Sequence, residues 1–229
     1  LGKLSTKEEA AGKVRVFAMV DAWTQWVLAP YHHAIFWLLR GIPMDGTFNQ
    51  TAPLKRVKAV RGLWSLDLSA ATDRLPISIQ KSLLGAIFGR EWAASWAHLL
   101  VGRTYALRLD ENQPFMPPKG MKLGIHKLKY TVGQPMGALS SWASLAITHH
   151  FLVQCSAWRA GFPKWKLYTN YAVLGDDVVI GDHRVSTQYL EIMASLGVGV
   201  NTSKSLLSKT GTALEFAKRT IVNGTDVSP

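Results

Sequence analysis

Acidic residues in apolar surroundings are where this sequence offers chemistry. Asp67 ends a short apolar run and Asp73 follows six residues on; Asp176-Asp177 follows Gly175 between the apolar runs 171–174 and 178–180. Carboxylates in such a setting are unfavourable unless something positive compensates them. A divalent cation does so, and Mg²⁺ prefers a few carboxylates together with substrate phosphates. If the strands carrying Asp67 and Asp176 are neighbours, the two side chains would share two metal ions roughly 4 Å apart, an arrangement suited to phosphoryl transfer. Each site also has a local reading. Gly-Asp-Asp is ordinary turn chemistry, and Asp73 ahead of Pro76 is ordinary helix-start chemistry. The conjunction of both sites with the segments between and around them shifts the weight toward a reaction centre.

Those segments supply the other groups. Gly133-Gln134-Pro135-Met136-Gly137 is a sharp loop that lets a backbone or ligand approach closely, and Ser140-Ser141 stand at the start of the next helix. Their hydroxyls can cap that helix or contact a sugar or phosphate. Lys13 and Arg15 alternate with Val14 and Val16, so on extended backbone they share one side and can meet a triphosphate. Lys204 lies where a general acid for a pyrophosphate leaving group would be useful, and it is equally an ordinary surface lysine. Lys218 and Arg219 add positive charge suited to phosphate contact or to plain solvation.

The elements that must position these groups follow from periodicity. Residues 16–28 read as a helix that Pro30 breaks before 31–39. Residues 62–68 read as a strand, 76–88 and 91–101 as helices, 103–109 as a strand, 110–124 as a loop and 128–132 as a strand. A long helix covers 138–158. Residues 171–174 and 178–180 form a hairpin around Gly175-Asp176-Asp177. A helix over 185–196 ends at Gly197, and three short strands lie near Gly199, Ser205 and Leu214. Five tryptophans (Trp23, Trp26, Trp37, Trp92, Trp96) are expected to pack in the core. The order predicts an α+β fold, a sheet with helices on one face.

Composition narrows the class. Among 229 residues, 48% are hydrophobic and 18% charged, enough for a sizeable core. Lys and Arg number 26 against 15 Asp and Glu, a net charge of +11 that favours an acidic partner such as nucleic acid. The lone Cys155 excludes an intramolecular disulfide framework and a multi-cysteine zinc site. The stretch 130–158 lacks Asp, Glu, Lys and Arg, but its Gln134, Pro135, four serines, His149 and His150 favour a buried helix over a membrane span.

Seven segments now stand in order: GKVRVFAMVD (12–21), DGTFNQ (45–50), SLDLSAATDRLP (65–76), GQPMGALSSWASLAITHH (133–150), YAVLGDDVVIGD (171–182), NTSKS (201–205) and LEFAKR (214–219). Together they resemble the viral RNA-dependent RNA polymerases of mitovirus type, within the group of narnaviruses and RNA-phage replicases. The resemblance runs over nearly the whole chain. It implies a right-hand polymerase palm, an antiparallel sheet backed by helices, with part of the fingers and with the thumb largely absent. Residues 1–60 would be fingers-associated and carry the basic motif F; 61–229 would be palm with motifs A to E and a fingers insertion at about 76–130.

By the same resemblance Asp67, Asp176 and Asp177 bind two Mg²⁺ ions, with Mn²⁺ as a possible substitute. Asp73 and Ser141 serve the incoming ribose, and Lys13 and Arg15 the triphosphate. Gly133, Gly137 and Ser140 handle template, Lys204 protonates pyrophosphate, and Lys218 and Arg219 contact RNA. Leu145, beside Ser144, stands where many relatives have an asparagine that helps read the 2′-hydroxyl, so ribose selection by Asp73 departs from the family pattern. The implied partners are RNA template, nascent RNA and nucleoside triphosphates, without a membrane-spanning segment and with no protein partner named. The implied location is the host mitochondrion. Two competing readings share the palm: a truncated or genome-integrated relic that binds RNA without turnover, and a reverse transcriptase.

Overall fold

In a computed structural model the chain is described over residues 2–9, 13–111, 116–117, 119–201 and 203–228, the side chains of Glu9 and Lys13 excepted. Strands β1 (Gly2–Glu9) and β2 (Lys13–Met19) form an antiparallel hairpin. Here the expectation of a helix from residue 16 fails, because the alternation through Val14, Val16 and Ala18 is a strand's period of two. Helix α1 (Ala22–Arg40) follows, capped by Asp21, whose carboxylate accepts from the Thr24 backbone N–H at 2.8 Å.

The expected break at Pro30 also does not occur. Pro30 lies inside α1 on its exposed side, while Thr24, Leu28, Ile35 and Leu39 bury the opposite face and hold the helix together. That geometry overturns the core placement of three tryptophans. Trp23, Trp26 and Trp37 are 77%, 72% and 73% exposed, because they fall opposite the buried stripe. Trp96 is fully buried and Trp92 partly so, as expected.

Strand β3 (Leu63–Ser69) leads through a one-turn helix α2 (Ala71–Arg74) to α3 (Ile77–Phe88) and α4 (Arg90–Val101). Strands β4 (Tyr105–Leu109) and β5 (Gly124–Leu128) join β1 and β2 in a four-stranded sheet ordered β2-β1-β4-β5. The strand expected over 128–132 therefore lies earlier, in register with β4. Of the loop expected over 110–124, residues 112–115 and 118 lie outside the described residues.

The long helix is α5 (Ser141–Arg159), buried on nearly every side. Then come β6 (Tyr171–Leu174), β7 (Asp177–Ile180), α6 (His183–Ser195), β8 (Gly199–Val200) and β9 (Leu206–Ser208). Strands β10 (Ala213–Phe216), β11 (Arg219–Val222) and β12 (Thr225–Asp226) make a small antiparallel sheet.

The central sheet is antiparallel, ordered β6-β7-β3-β8, with β9 also paired to β3. Alternation along its strands divides the core. Leu66, Leu68, Val173 and Val178 pack against Leu145, Val153, Val185 and Tyr189 of α5 and α6. Leu63, Ala172 and Val179 pack on the other face against Leu214 and Phe216 of β10. Burying each large aliphatic contributes about 2 kcal/mol. The expected α+β architecture stands, with the β10–β12 sheet covering the face away from the helices. Among the described residues no helix is long and apolar enough to cross a membrane.

Candidate active site

Strand pairing brings the acidic residues together. Asp67 near the end of β3 is the register partner of Asp177 at the start of β7, and cross-strand partners carry their side chains on the same face. Asp176 is exposed in the two-residue loop joining β6 to β7, after Gly175 with φ +61°. An added Cβ at Gly175 would lie 2.7 Å from Trp142 Nε1, so glycine is required there for both conformation and space.

The neighbouring segments are tied to Asp67 itself. Its backbone N–H donates to Ser205 Oγ at 3.2 Å, and its carbonyl accepts from Asn201 N–H at 2.8 Å. That anchors the turn carrying Lys204. From the other side, Glu215 N–H donates to Ser65 Oγ at 2.9 Å, which holds β10 against β3. Ala217 (φ +54°) and Lys218 (φ +62°) adopt left-handed backbone between β10 and β11, and the Ala217 N–H reaches the Asp177 carboxylate. Strained backbone of this kind concentrates at functional sites.

The result is one cavity of about 680 Å³ lined by Arg15, Asp67, Asp176, Asp177, Lys204, Glu215 and Lys218, among others. It unites six positions singled out from the sequence. Burial pushes the Asp177 carboxyl up to about 6, reinforced by Asp176, Asp67 and Glu215 and opposed by the Ala217 N–H. Concentrated negative charge faces three cations across this space. Glu215 is the acidic member to which sequence reasoning gave no part in this acidic group; its signal was its place in the LEFAKR segment (214–219), where Glu215 to Arg219 resembles the stretch near the primer grip.

The remaining positions fall elsewhere. Lys13 lies in β2, its side chain outside the described residues. Asp73 sits on α2, its carboxyl raised by burial and restrained by Arg74. Gly133 donates to the Asp73 carbonyl at 3.1 Å and Gln134 to the Thr72 carbonyl at 3.0 Å, so the Gly-Gln-Pro loop docks on α2. An added Cβ at Gly133 would meet Thr72 O at 2.3 Å, and one at Gly137 would meet Ala18 O at 2.6 Å. Both glycines permit backbone-to-backbone approach.

Ser140 and Ser141 are buried with their hydroxyls engaged. Trp96 Nε1 donates to Ser140 Oγ at 2.8 Å, and Ser141 Oγ donates to the Pro135 carbonyl at 2.7 Å. Ser144 accepts from Gln134 Nε2 at 2.9 Å, and Leu145 belongs to the core. Arg219 pairs with Asp226 at 2.7 Å, on the far strand of the hairpin.

Among the described residues, no group of three or more Asp, Glu, His or Cys side chains is close enough to form a metal cage. The facing pair Asp67 and Asp177, with Asp176 adjoining, is a hard-oxygen donor set. It fits Mg²⁺, which binds through one or two carboxylates plus substrate phosphates.

A sheet with its carboxylates on facing strand ends, backed by two helices, is the palm of a right-hand polymerase. The fold matches the apo telomerase of Candida tropicalis, truncated from its C-terminal domain, with a TM-score of 0.65 at 12% identity, over 100% of this chain and 55% of that one. It also matches the BmCPV RNA-dependent RNA polymerase at elongation state, TM-score 0.60 at 13% identity, over 99% and 22%. The chain belongs to the mitovirus RNA-dependent RNA polymerase family, whose profile matches residues 1–229.

It is 39% identical over 224 residues to the RNA-directed RNA polymerase of Cryphonectria parasitica mitovirus 1, covering 96% of this chain and 25% of that polymerase. An uncharacterized mitochondrial protein of Arabidopsis thaliana is 37% identical over 197 residues, 84% of this chain and 74% of that protein. The RNA-directed RNA polymerase of Saccharomyces 23S RNA narnavirus is 28% identical over 179 residues, 73% of this chain and 17% of that polymerase. The chain thus spans a quarter of the mitoviral polymerase and about three quarters of the plant protein.

Proposed function

We propose that this chain is the catalytic core of RNA-templated RNA synthesis. An RNA 3′-oxygen attacks the α-phosphorus of a nucleoside triphosphate, and pyrophosphate leaves. The observation that carries this reading is the convergence of Asp67, Asp176 and Asp177 with Arg15, Lys204 and Lys218 on one cavity, in a chain of a polymerase family. Asp67, Asp176 and Asp177 would hold Mg²⁺, or Mn²⁺ in its place. Two such ions, when bound, supply charge neutralisation at the attacking and leaving oxygens.

The chain's own groups do the rest. Lys13 and Arg15 orient the triphosphate through charge-assisted hydrogen bonds. Lys204 offers a proton to the departing pyrophosphate. Lys218 and Arg219 attract the RNA backbone. Asp73 faces the incoming ribose; Gly133, Gly137, Ser140 and Ser141 shape the loop beside it, the two serines through their inward hydrogen bonds. Residues 1–60 act with the fingers and 61–229 as palm. The setting is the host mitochondrion, in keeping with the Arabidopsis relatives.

The test is Mg²⁺-dependent ribonucleotide incorporation on a primed RNA template. The parent incorporates and Asp176→Asn does not; retained incorporation by Asp176→Asn sinks the metal assignment. Equal use of deoxyribonucleotides would favour a reverse transcriptase. A second reading is a truncated or genome-integrated relic that binds RNA without turnover. RNA binding with no incorporation by the parent, even with flanking polymerase sequence restored, supports it.

A further inference from the structure

Gly175 precedes Asp176 in the loop between β6 and β7, and its carbonyl lies beyond the last β6–β7 register pair, Leu174 with Asp177. That carbonyl is met instead by a side chain from α5. His149 Nδ1 lies 2.8 Å from it, and His149 Nε2 lies 2.7 Å from the Tyr189 hydroxyl on α6. The imidazole and phenol rings stack at 5.7 Å. Both side chains are fully enclosed, His149 at 1% and Tyr189 at 0% exposure.

The hydrogen-bond directions follow from chemistry. A carbonyl only accepts, so Nδ1 carries the proton and donates to Gly175. The neutral ring then has an acceptor at Nε2, and Tyr189 donates to it. Burial supports this state from both ends. It holds the His149 imidazole down to about 4, so the ring is neutral near pH 7, and it raises the Tyr189 phenol well above its ordinary range, so the hydroxyl keeps its proton.

Trp142 stands seven residues before His149 on α5, two turns earlier on the same face. Its indole occupies the space beside Gly175 where a side chain would be. Helix α5 therefore meets the loop at two points, the indole against the Gly175 α-carbon and the imidazole on its carbonyl.

We propose that His149, oriented by Tyr189, is a positioning residue that fixes the Gly175–Asp176 peptide and so aims Asp176 at the cation the site binds. This rests on the metal assignment above. It belongs to a general pattern in which hydrogen bonds behind a ligand tune metal affinity by about 10–100-fold. Asn and Gln separate the two bonds of His149. An Asn amide nitrogen falls near the imidazole Nδ1 position and keeps the bond to Gly175. A Gln amide reaches the Nε2 position and keeps only the Tyr189 side.

The experiment is Mn²⁺ binding to the chain, read by the EPR signal of free Mn²⁺, with thermal melting of each variant alongside. His149→Asn is expected to bind within about threefold of the parent, and His149→Gln about tenfold more weakly. Tyr189→Phe, which removes one oxygen, is expected to bind about threefold more weakly because the ring loses the hydrogen bond at Nε2 that holds its orientation. A generic packing defect would weaken the Asn and Gln variants alike. Equal affinities for these two variants, or parental affinity in Tyr189→Phe, overturn the proposal while leaving the metal site in place. Absence of Mn²⁺ binding by the parent, or parental affinity in Asp176→Asn, overturns the metal assignment and this inference with it.

Discussion

Asp177 shares its surroundings with Asp176, Asp67 and Glu215, and this neighbourhood together with burial lifts its carboxyl to about 6. A carboxyl whose folded pKa exceeds its unfolded value of 3.8 favours the fold below that value, and the benefit is lost as pH rises through 6. In chelator at pH 8, Asp177→Asn is therefore expected to raise the melting temperature, by about 1 kcal/mol of stability after allowance for the site's open side. At pH 4 the same substitution brings no gain. His149 works in the other direction. Its folded pKa of about 4 lies below 6.5, so its contribution is present above 6.5 and is lost as pH falls toward 4. His149→Asn removes that titration, and its melting temperature should fall less than the parent's between pH 7 and 4.5.

At the scale of elements, glycines mark where backbones touch. Gly133 lets its loop lie against α2, where an added Cβ would come within 2.4 Å of the Asp73 carbonyl carbon and oxygen. Neither backbone can move aside cheaply, so Gly133→Ala should cost about 2–4 kcal/mol. Gly197, past the end of α6, has φ +69° and open space around its Cβ position. Gly197→Ala pays only for its conformation, about 1 kcal/mol. Denaturant midpoints that rank Gly197→Ala as the more damaging change would contradict this account. The sheet and most helices were legible because their periods are strong: β3, α3, α4, α5 and the β6–β7 hairpin lie where alternation, capping and glycine place them. The β1–β2 hairpin was misread because a short apolar run scores as helix until its partner strand is known. Pro30 was misread because burial of Leu28, Ile35 and Leu39 outweighs one missing hydrogen bond on the solvent side.

At the scale of the molecule, a net charge of +11 sets a field that draws in polyanions. Lys204 and Lys218 bring part of that charge to the cavity rim. Replacing either with Gln should weaken RNA binding uniformly across sequences and lower the slope of log K against log salt by about 1. Fluorescence anisotropy at several salt concentrations measures this. An unchanged slope in both variants would place the RNA backbone elsewhere. The charge is also why most cations near the site could be listed from the sequence but not ranked. Arg219 looks equivalent to Lys218 in the chain, yet it pairs with Asp226 across the hairpin while Lys218 turns to the cavity.

The sequence by itself determined the kind of chemistry available and the elements that carry it. Carboxylates in apolar runs, glycines around a proline and a basic composition are local properties, and local properties survive without a fold. The tertiary structure decided which carboxylates face each other, because pairing register is a long-range choice: Asp67 meets Asp177 across the sheet, with Asp176 in the turn. It also decided the neighbours that sequence spacing conceals. Glu215 joins the acidic group because β10 packs on β3. Ser140 and Ser141 turn inward because α5 starts against Trp96 and Pro135. His149 reaches the Gly175 carbonyl because α5 runs beneath the hairpin. Each of these contacts spans more than the reach of a single helix turn or hairpin, and only packing of the whole chain creates it, the serine–proline contact excepted.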